Sequence, residues 1–183
     1  SEVLKATPTV TLLGKSATVS GGPLVWSASY TAGSSDPEGT IAISITGVTD
    51  LAGNTSSASA TTDGSSVIFD RTPPSLSSVS IETNFGDPTY AYVGSEITLS
   101  FSSNESIAAP VVTIMGSSVT VSGGPTAWSA SYTTQATDTT AYVTFDISGI
   151  VDITGNTSSP ITSTTNGSFV LFENYEAQWS GRN

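Results

Sequence analysis

Two short loops carry the side chains best suited to chemistry in this chain: Asp50-Leu51-Ala52-Gly53-Asn54 and Asp152-Ile153-Thr154-Gly155-Asn156. Each places a carboxylate four residues ahead of an amide, with a glycine between them, so oxygen donors converge on a tight turn. Two readings fit this pattern. Glycine takes the positive φ that such a turn needs and asparagine tolerates it, which describes an Asx-type loop satisfying its own main chain. Carboxylate, amide and carbonyl oxygens are also the ligands Ca²⁺ prefers. In a seven-strand sandwich the loop between the last two strands lies at the end where the chain enters the domain. Asp152 and Asn156 are then expected near Asp70, with Asn104 and Glu105 on the neighbouring loop. The earlier copy, Asp50 and Asn54 with Glu2, would face whatever precedes Ser1.

Other chemistry finds few residues to work with. The chain has neither His nor Cys, so the usual general base and thiol nucleophile are missing, and an enzyme is not expected. Zinc and copper lack their preferred ligands, which leaves calcium as the single candidate cofactor. A Lys–Asn crosslink is excluded in the second half, where no Lys occurs. Asp36-Pro37-Glu38-Gly39 and Asp87 read as ordinary turn chemistry. With four basic and fifteen acidic residues and a net charge of −11, nucleic acid and anionic lipid are poor partners, whereas divalent cations are natural ones. No apolar stretch approaches the ~18 residues of a membrane helix, and SEVLKATP at the start lacks the features of a signal peptide. A cysteine-free chain rich in Ser, Thr and Gly suits bacterial export to the cell surface or beyond.

The elements that must position these loops are strands. Period-two alternation runs throughout, and helical periodicity is absent. Trp26, Ala28 and Tyr30 fall on one face with Ser27 and Ser29 on the other. Ile41, Ile43 and Ile45 alternate in the same way, as do Ile97, Leu99 and Phe101. The phrase SGGPLVWSASYT (Ser20 to Thr31) returns as SGGPTAWSASYT (Ser122 to Thr133), so the chain is a tandem array of one folding unit. The two tryptophans stand 102 positions apart, which suits two domains of roughly 100 residues. Recurrent aromatic residues in units of this size serve the core, so Trp26 and Trp128 are read as packing residues rather than a sugar platform.

Short alternating strands, closely spaced turn signals and about seven strands per unit predict an all-β chain of two tandem immunoglobulin-like β-sandwich domains, with a barrel as runner-up. The expected boundaries are 1–70, 71–173 and a tail or linker at 174–183. Sliding the repeat onto itself aligns Ser1 with Ser103, so nothing in the first unit corresponds to Pro74 to Ser102. The first domain therefore lacks its initial two strands. They lie upstream of the chain, or another subunit donates them, or the unit is a reduced variant.

The runs TDLAGNTSS (Thr49 to Ser57), VIFDRTPP (Val67 to Pro74), ITLSFSSNE (Ile97 to Glu105) and WSASYT together resemble the tandem bacterial immunoglobulin-like repeats of large secreted adhesins and surface proteins. The resemblance covers nearly the whole chain to about Glu173. It implies an extracellular or cell-surface setting and a stalk-like role among neighbouring repeats, with calcium at inter-domain joints. The final FENYEAQWSGRN departs from the pattern, and Trp179 there is unexplained.

The leading expectation is a structural or adhesive spacer, rigidified by calcium through Asp70, Glu105, Asp152 and Asn156, and through Asp50 and Asn54 in the first unit. The alternatives are a filament subunit completed by strands donated from other copies, and a module binding glycan or a cell-surface protein through the loop Asn84 to Gly94.

Overall fold

A computed structural model describes residues 2–174; Trp179 and the rest of the tail from 175 onwards lie outside the described residues. The chain is all-β, with no helix among the described residues. It divides into two compact units, Ser1–Arg71 and Thr72–Asn183.

The second unit contains β9 (Leu76–Thr83), β10 (Tyr90–Ala91), β11 (Glu96–Ser103), β12 (Val111–Ile114), β13 (Ser117–Val119), β14 (Val121–Gly123), β15 (Ala127–Thr133), β16 (Ala141–Tyr142), β17 (Phe145–Ser148) and β18 (Leu171–Phe172). One sheet runs β14-β15-β11-β9, and a second runs β13-β12-β17. This is the strand order of an immunoglobulin-type sandwich. A ribbon of β10-β18-β16 completes it, and β10 lies parallel to β18. The alternation read from the sequence sets the inner face: Val79, Ile81, Ile97, Leu99 and Phe101 from one sheet meet Val112, Ile114 and Ile147 from the other, all buried. Residues 84–94, read as a loop, hold the short strand β10. Loop geometry hides such a strand from periodicity, because two residues cannot establish a period.

The first unit contains β1 (Thr9–Leu12), β2 (Lys15–Ser16), β3 (Thr18–Gly21), β4 (Trp26–Ser29), β5 (Gly39–Thr40), β6 (Ile43–Thr49), β7 (Thr55–Ala58) and β8 (Ile68–Phe69). These reproduce β12 onwards of the second unit. Sheet β2-β1-β6-β7 stands for the second layer, and the hairpin β3-β4 stands for what remains of the first. Counterparts of β9 and β11 are missing among the described residues, so β4 pairs with β3 alone. Burial follows directly. Pro8 and Val10 are the apolar residues buried in this unit among those described, and Val67 is 64% exposed where its counterpart Val170 is fully buried. The repeat also slips by one residue at its start: Leu4 bridges Asp50 as Ile107 bridges Asp152, so Leu4 rather than Lys5 takes the place of Ile107.

The repeated phrase has a specific structural use. Gly21 and Gly123 adopt φ of +106° and +103°, and an added Cβ would stand 2.6 Å from the Val25 carbonyl oxygen and 2.4 Å from that of Ala127. Gly22 and Gly124 lie under the indole rings of Trp26 and Trp128, within 2.9 Å and 2.8 Å of where a Cβ would sit. Each peptide bond from the second glycine to proline is cis. Both tryptophans are half-buried over their own turns, Trp128 packs against the core of its unit, and both indole nitrogens are buried without an acceptor among the described residues.

Candidate functional site

The Asp-x-x-Gly-Asn loops form where a strand turns back on itself. In the first unit the loop is the tip of the β6–β7 hairpin, and in the second it joins the bridged pair Val151 and Thr157. Strand β7 therefore intervenes before the last strand of the first unit. The glycines take positive φ, +96° at both Gly53 and Gly155.

Asp152 is 4% exposed and its carboxylate is heavily used. Its Oδ1 accepts the Thr154 N–H and hydroxyl, both at 2.8 Å, and the Asn156 N–H at 2.9 Å; Oδ2 accepts the Asn156 side-chain amide at 2.8 Å. Burial pushes its pKa upward, but the hydrogen bonds from Asn156 and Thr154 outweigh that and hold it at about 2. Asp50 repeats the arrangement in a more open setting, accepting Asn54 N–H at 2.8 Å and its side-chain amide at 2.7 Å. The Asn54 side chain is the main reason its pKa is lowered, followed by the Asn54 main chain. Glu2 also contacts Asp50 and lowers it further. Both loops are the Asx type that satisfies its own backbone.

Within the second unit, carboxylate oxygens of Glu105 and Asp152 lie within 4.8 Å of each other. Asn104, expected beside Glu105 on the neighbouring loop, is engaged with the main chain at Ser75. Its Oδ1 accepts the Ser75 N–H at 2.7 Å while its own N–H donates to the Ser75 carbonyl at 2.9 Å, so it clamps the entering chain. The Ser158 hydroxyl donates to the Pro74 carbonyl and fixes the same segment from the other side. Glu105 and Asp152 therefore sit at the end where the chain enters this unit. Asp70 follows β8 directly and closes the first unit.

The donor set meets a hard cation partway. A carboxylate offers about four lone-pair directions, and Asp152 Oδ2 accepts a single bond from this loop, which leaves room for a further partner beside Glu105.

A lowered folded-state pKa contributes stability above the unfolded value and loses it below. For Asp152 the contribution is complete above the ordinary value of 3.8 and disappears as pH falls towards about 2. Asp152→Asn should remove this acid-sensitive component, so the melting temperature of the variant should depend less on pH between about 5 and 2 than that of the unmodified chain. Parallel profiles would show that Asp152 is not held ionised.

Sequence reading took Asp36 as turn chemistry and missed its pairing with the tyrosine six residues earlier, which Asp138 repeats in the second unit. Asp36 is 2% exposed and accepts the Tyr30 hydroxyl at 2.7 Å and the Gly33 N–H at 2.8 Å. Asp138 accepts the Tyr132 hydroxyl at 3.0 Å and the Gln135 N–H at 2.8 Å. The signal was present as Tyr and Asp at equal spacing in both copies. Asp87 behaves as read, accepting the Thr89 N–H at 2.9 Å in a turn. Beside it Phe85 is 46% exposed and packs edge-on against Tyr92 at 4.8 Å.

No protein-family model matches the chain, and no curated protein matches it. Among solved structures it is similar to SGBP-B of the Bacteroides ovatus mixed-linkage glucan utilization locus, described in complex with a mixed-linkage heptasaccharide. The identity is 18% and the TM-score 0.27; the match covers 92% of this chain and 38% of that one, so the chain spans well under half of its length.

Proposed function

We propose that this chain is a structural repeat module of a secreted or cell-surface protein, a spacer built to carry tension rather than to catalyse. One observation supports this most. In the second unit β10, near the start, is parallel to β18, at the end, with the Leu171 N–H on the Thr89 carbonyl at 2.8 Å and the Glu173 N–H on the Ala91 carbonyl at 2.9 Å. Tension applied through the two ends of the unit draws parallel strands past each other, so their hydrogen bonds must break together instead of unzipping singly. Single-molecule pulling on the 183-residue chain should show a resolved rupture that releases a contour length of roughly 320–350 Å, from about 97 residues at ~3.3–3.6 Å each. Extension without a resolved rupture would refute the reading.

The same proposal assigns Ca²⁺ to Glu105, Asp152 and Asn156 at the entry end of the second unit, and a weaker equivalent to Asp50 and Asn54 in the first. The closely spaced carboxylates of Glu105 and Asp152 favour it, since a cation relieves their repulsion. Calcium that binds the folded chain raises its melting temperature and a chelator reverses the rise. Superimposable heating scans would remove calcium from the account.

Recognition of a glycan or a surface protein is a second reading, favoured by the half-exposed Phe85 and Tyr90 in residues 84–94. It requires saturable binding on a glycan or surface-protein array that Phe85→Ala weakens.

A further inference from the structure

The loop leading into β18 holds a reactive pair that the spacer reading leaves unused. Asn166 is the one asparagine of the chain followed by glycine, and both residues are exposed. Asn166 Oδ1 accepts the Ser168 N–H at 3.0 Å, which draws electrons from the side-chain carbonyl carbon. Neither the Gly167 N–H nor the Asn166 side-chain NH₂ has a partner among the described residues. Gly167 has no Cβ and nothing lies within 4 Å of where one would sit, so its nitrogen can approach that carbon unhindered. Other asparagines are differently placed. Asn54 and Asn156 commit their side-chain amides to Asp50 and Asp152, Asn104 commits its oxygen to Ser75, and Asn84 precedes Phe85.

Two further observations fix what a reaction here would do. Asp63-Gly64-Ser65 is the counterpart of Asn166-Gly167-Ser168 in the first unit, and it makes the same turn with an acid in place of the amide. Asp63 Oδ1 accepts the Ser65 N–H at 3.0 Å, both glycines have φ of +73°, and the hydroxyl of Thr61 donates to the Ser65 carbonyl at 2.7 Å as Thr164 does to Ser168 at 2.9 Å. The residues flanking the Asn-Gly bond are also anchors. The Val79 N–H donates to the Thr165 hydroxyl and the Ile81 N–H to the Ser168 hydroxyl, each at 2.9 Å, which covers the outer edge of β9.

We propose that Asn166 is a site of spontaneous deamidation in the folded chain, and that its isoaspartyl product releases the edge of β9. The Gly167 nitrogen bonds to Asn166 Cγ and loses its proton to solvent, while the side-chain nitrogen leaves as ammonia. The resulting succinimide takes up one water. Cleavage of its N–Cγ bond gives aspartate; cleavage at the main-chain carbonyl gives isoaspartate, whose main chain runs through Cβ and Cγ. Either route exchanges ammonia for water, involves no oxidation or reduction, and adds a negative charge to a chain already at −11. Aspartate keeps the turn, as Asp63 does. Isoaspartate lengthens the main chain between Thr165 and Ser168, so the two hydroxyls can no longer both hold β9.

The complete 183-residue chain, kept folded at mildly alkaline pH in heavy-oxygen water, is sampled over time by peptide mapping that separates aspartate from isoaspartate. Conversion at Asn166 is expected at least tenfold faster than at Asn54, Asn84, Asn104 or Asn156, with one heavy oxygen in each product and both products present. Asn166→Gln should abolish it, and Gly167→Ala, checked as folded by circular dichroism, should slow it at least tenfold. In hydrogen exchange the isoaspartyl fraction should show at least tenfold faster exchange at Ile81, whereas Asn166→Asp should match the unmodified chain. Conversion confined to denatured chain, equal rates at the other asparagines, or aspartate without isoaspartate would overturn the proposed site. Unchanged Ile81 exchange in the isoaspartyl fraction would overturn the release of β9.

Discussion

Ala130→Pro should unfold the second unit at temperatures the unmodified chain withstands, at a cost of at least about 3 kcal/mol, while Ala28→Pro at the equivalent place should cost about 1 kcal/mol or less. The two residues occupy the same position of the same phrase. Ala130 is 2% exposed in a strand with partners on both sides, and its N–H is directed towards β11. Proline there removes a ladder bond and forces a ring between packed side chains. Ala28 directs its N–H to the open side, and a sheet edge tolerates proline on that side. Circular dichroism melts of the two variants make the comparison. Equal losses would mean that β4 is covered as completely as β15.

Gly123→Ala carries the second large effect, a loss of about 3 kcal/mol and a fall in melting temperature of roughly 10 °C or more. Two penalties combine at this position. The φ of +103° is one that L side chains rarely adopt, and the new methyl group would meet the Ala127 carbonyl oxygen at 2.4 Å. That oxygen is held by the Gly124 N–H at 2.7 Å, so it cannot withdraw without opening the turn. Gly155→Ala separates the terms: its φ is +96°, but nothing lies within 4 Å of the added atom. It should cost only the conformational part, about 1–2 kcal/mol. If the two variants melt alike, contact contributes nothing and the phrase needs glycine for conformation alone.

Much of the fold was legible because a repeat supplies its own comparison. Two copies of one phrase established the offset, and by that offset β1 answers to β12 and β4 to β15. Alternation of Ile97, Leu99 and Phe101 named the inner face of β11, and each of the three is buried. What escaped depends on geometry that no period carries. Two-residue strands such as β10 depend on long-range pairing, and the slip at Leu4 needs the bridge to Asp50 to be seen. The tryptophans were assigned to the core by type and Trp128 does pack against it, but the need for glycine beneath each ring, at Gly22 and Gly124, is visible only in the structure. At the candidate site, residue types named the oxygen-bearing side chains. How many of those oxygens the loop consumes itself depended on hydrogen bonds within five residues, whereas Asn104 is held by Ser75, 29 residues earlier in the chain.

The two units share one pattern, and among the described residues β15 is paired on both sides whereas β4 is paired with β3 alone. Hydrogen exchange of the complete chain, compared between Ala127–Thr133 and Trp26–Ser29, tests it most directly. Slow exchange is expected for amides on both sides of β15, whereas β4 should protect its β3-facing amides only, with Trp26 and Ala28 exchanging at least tenfold faster than Trp128 and Ala130. Equal protection of the two strands would contradict the account.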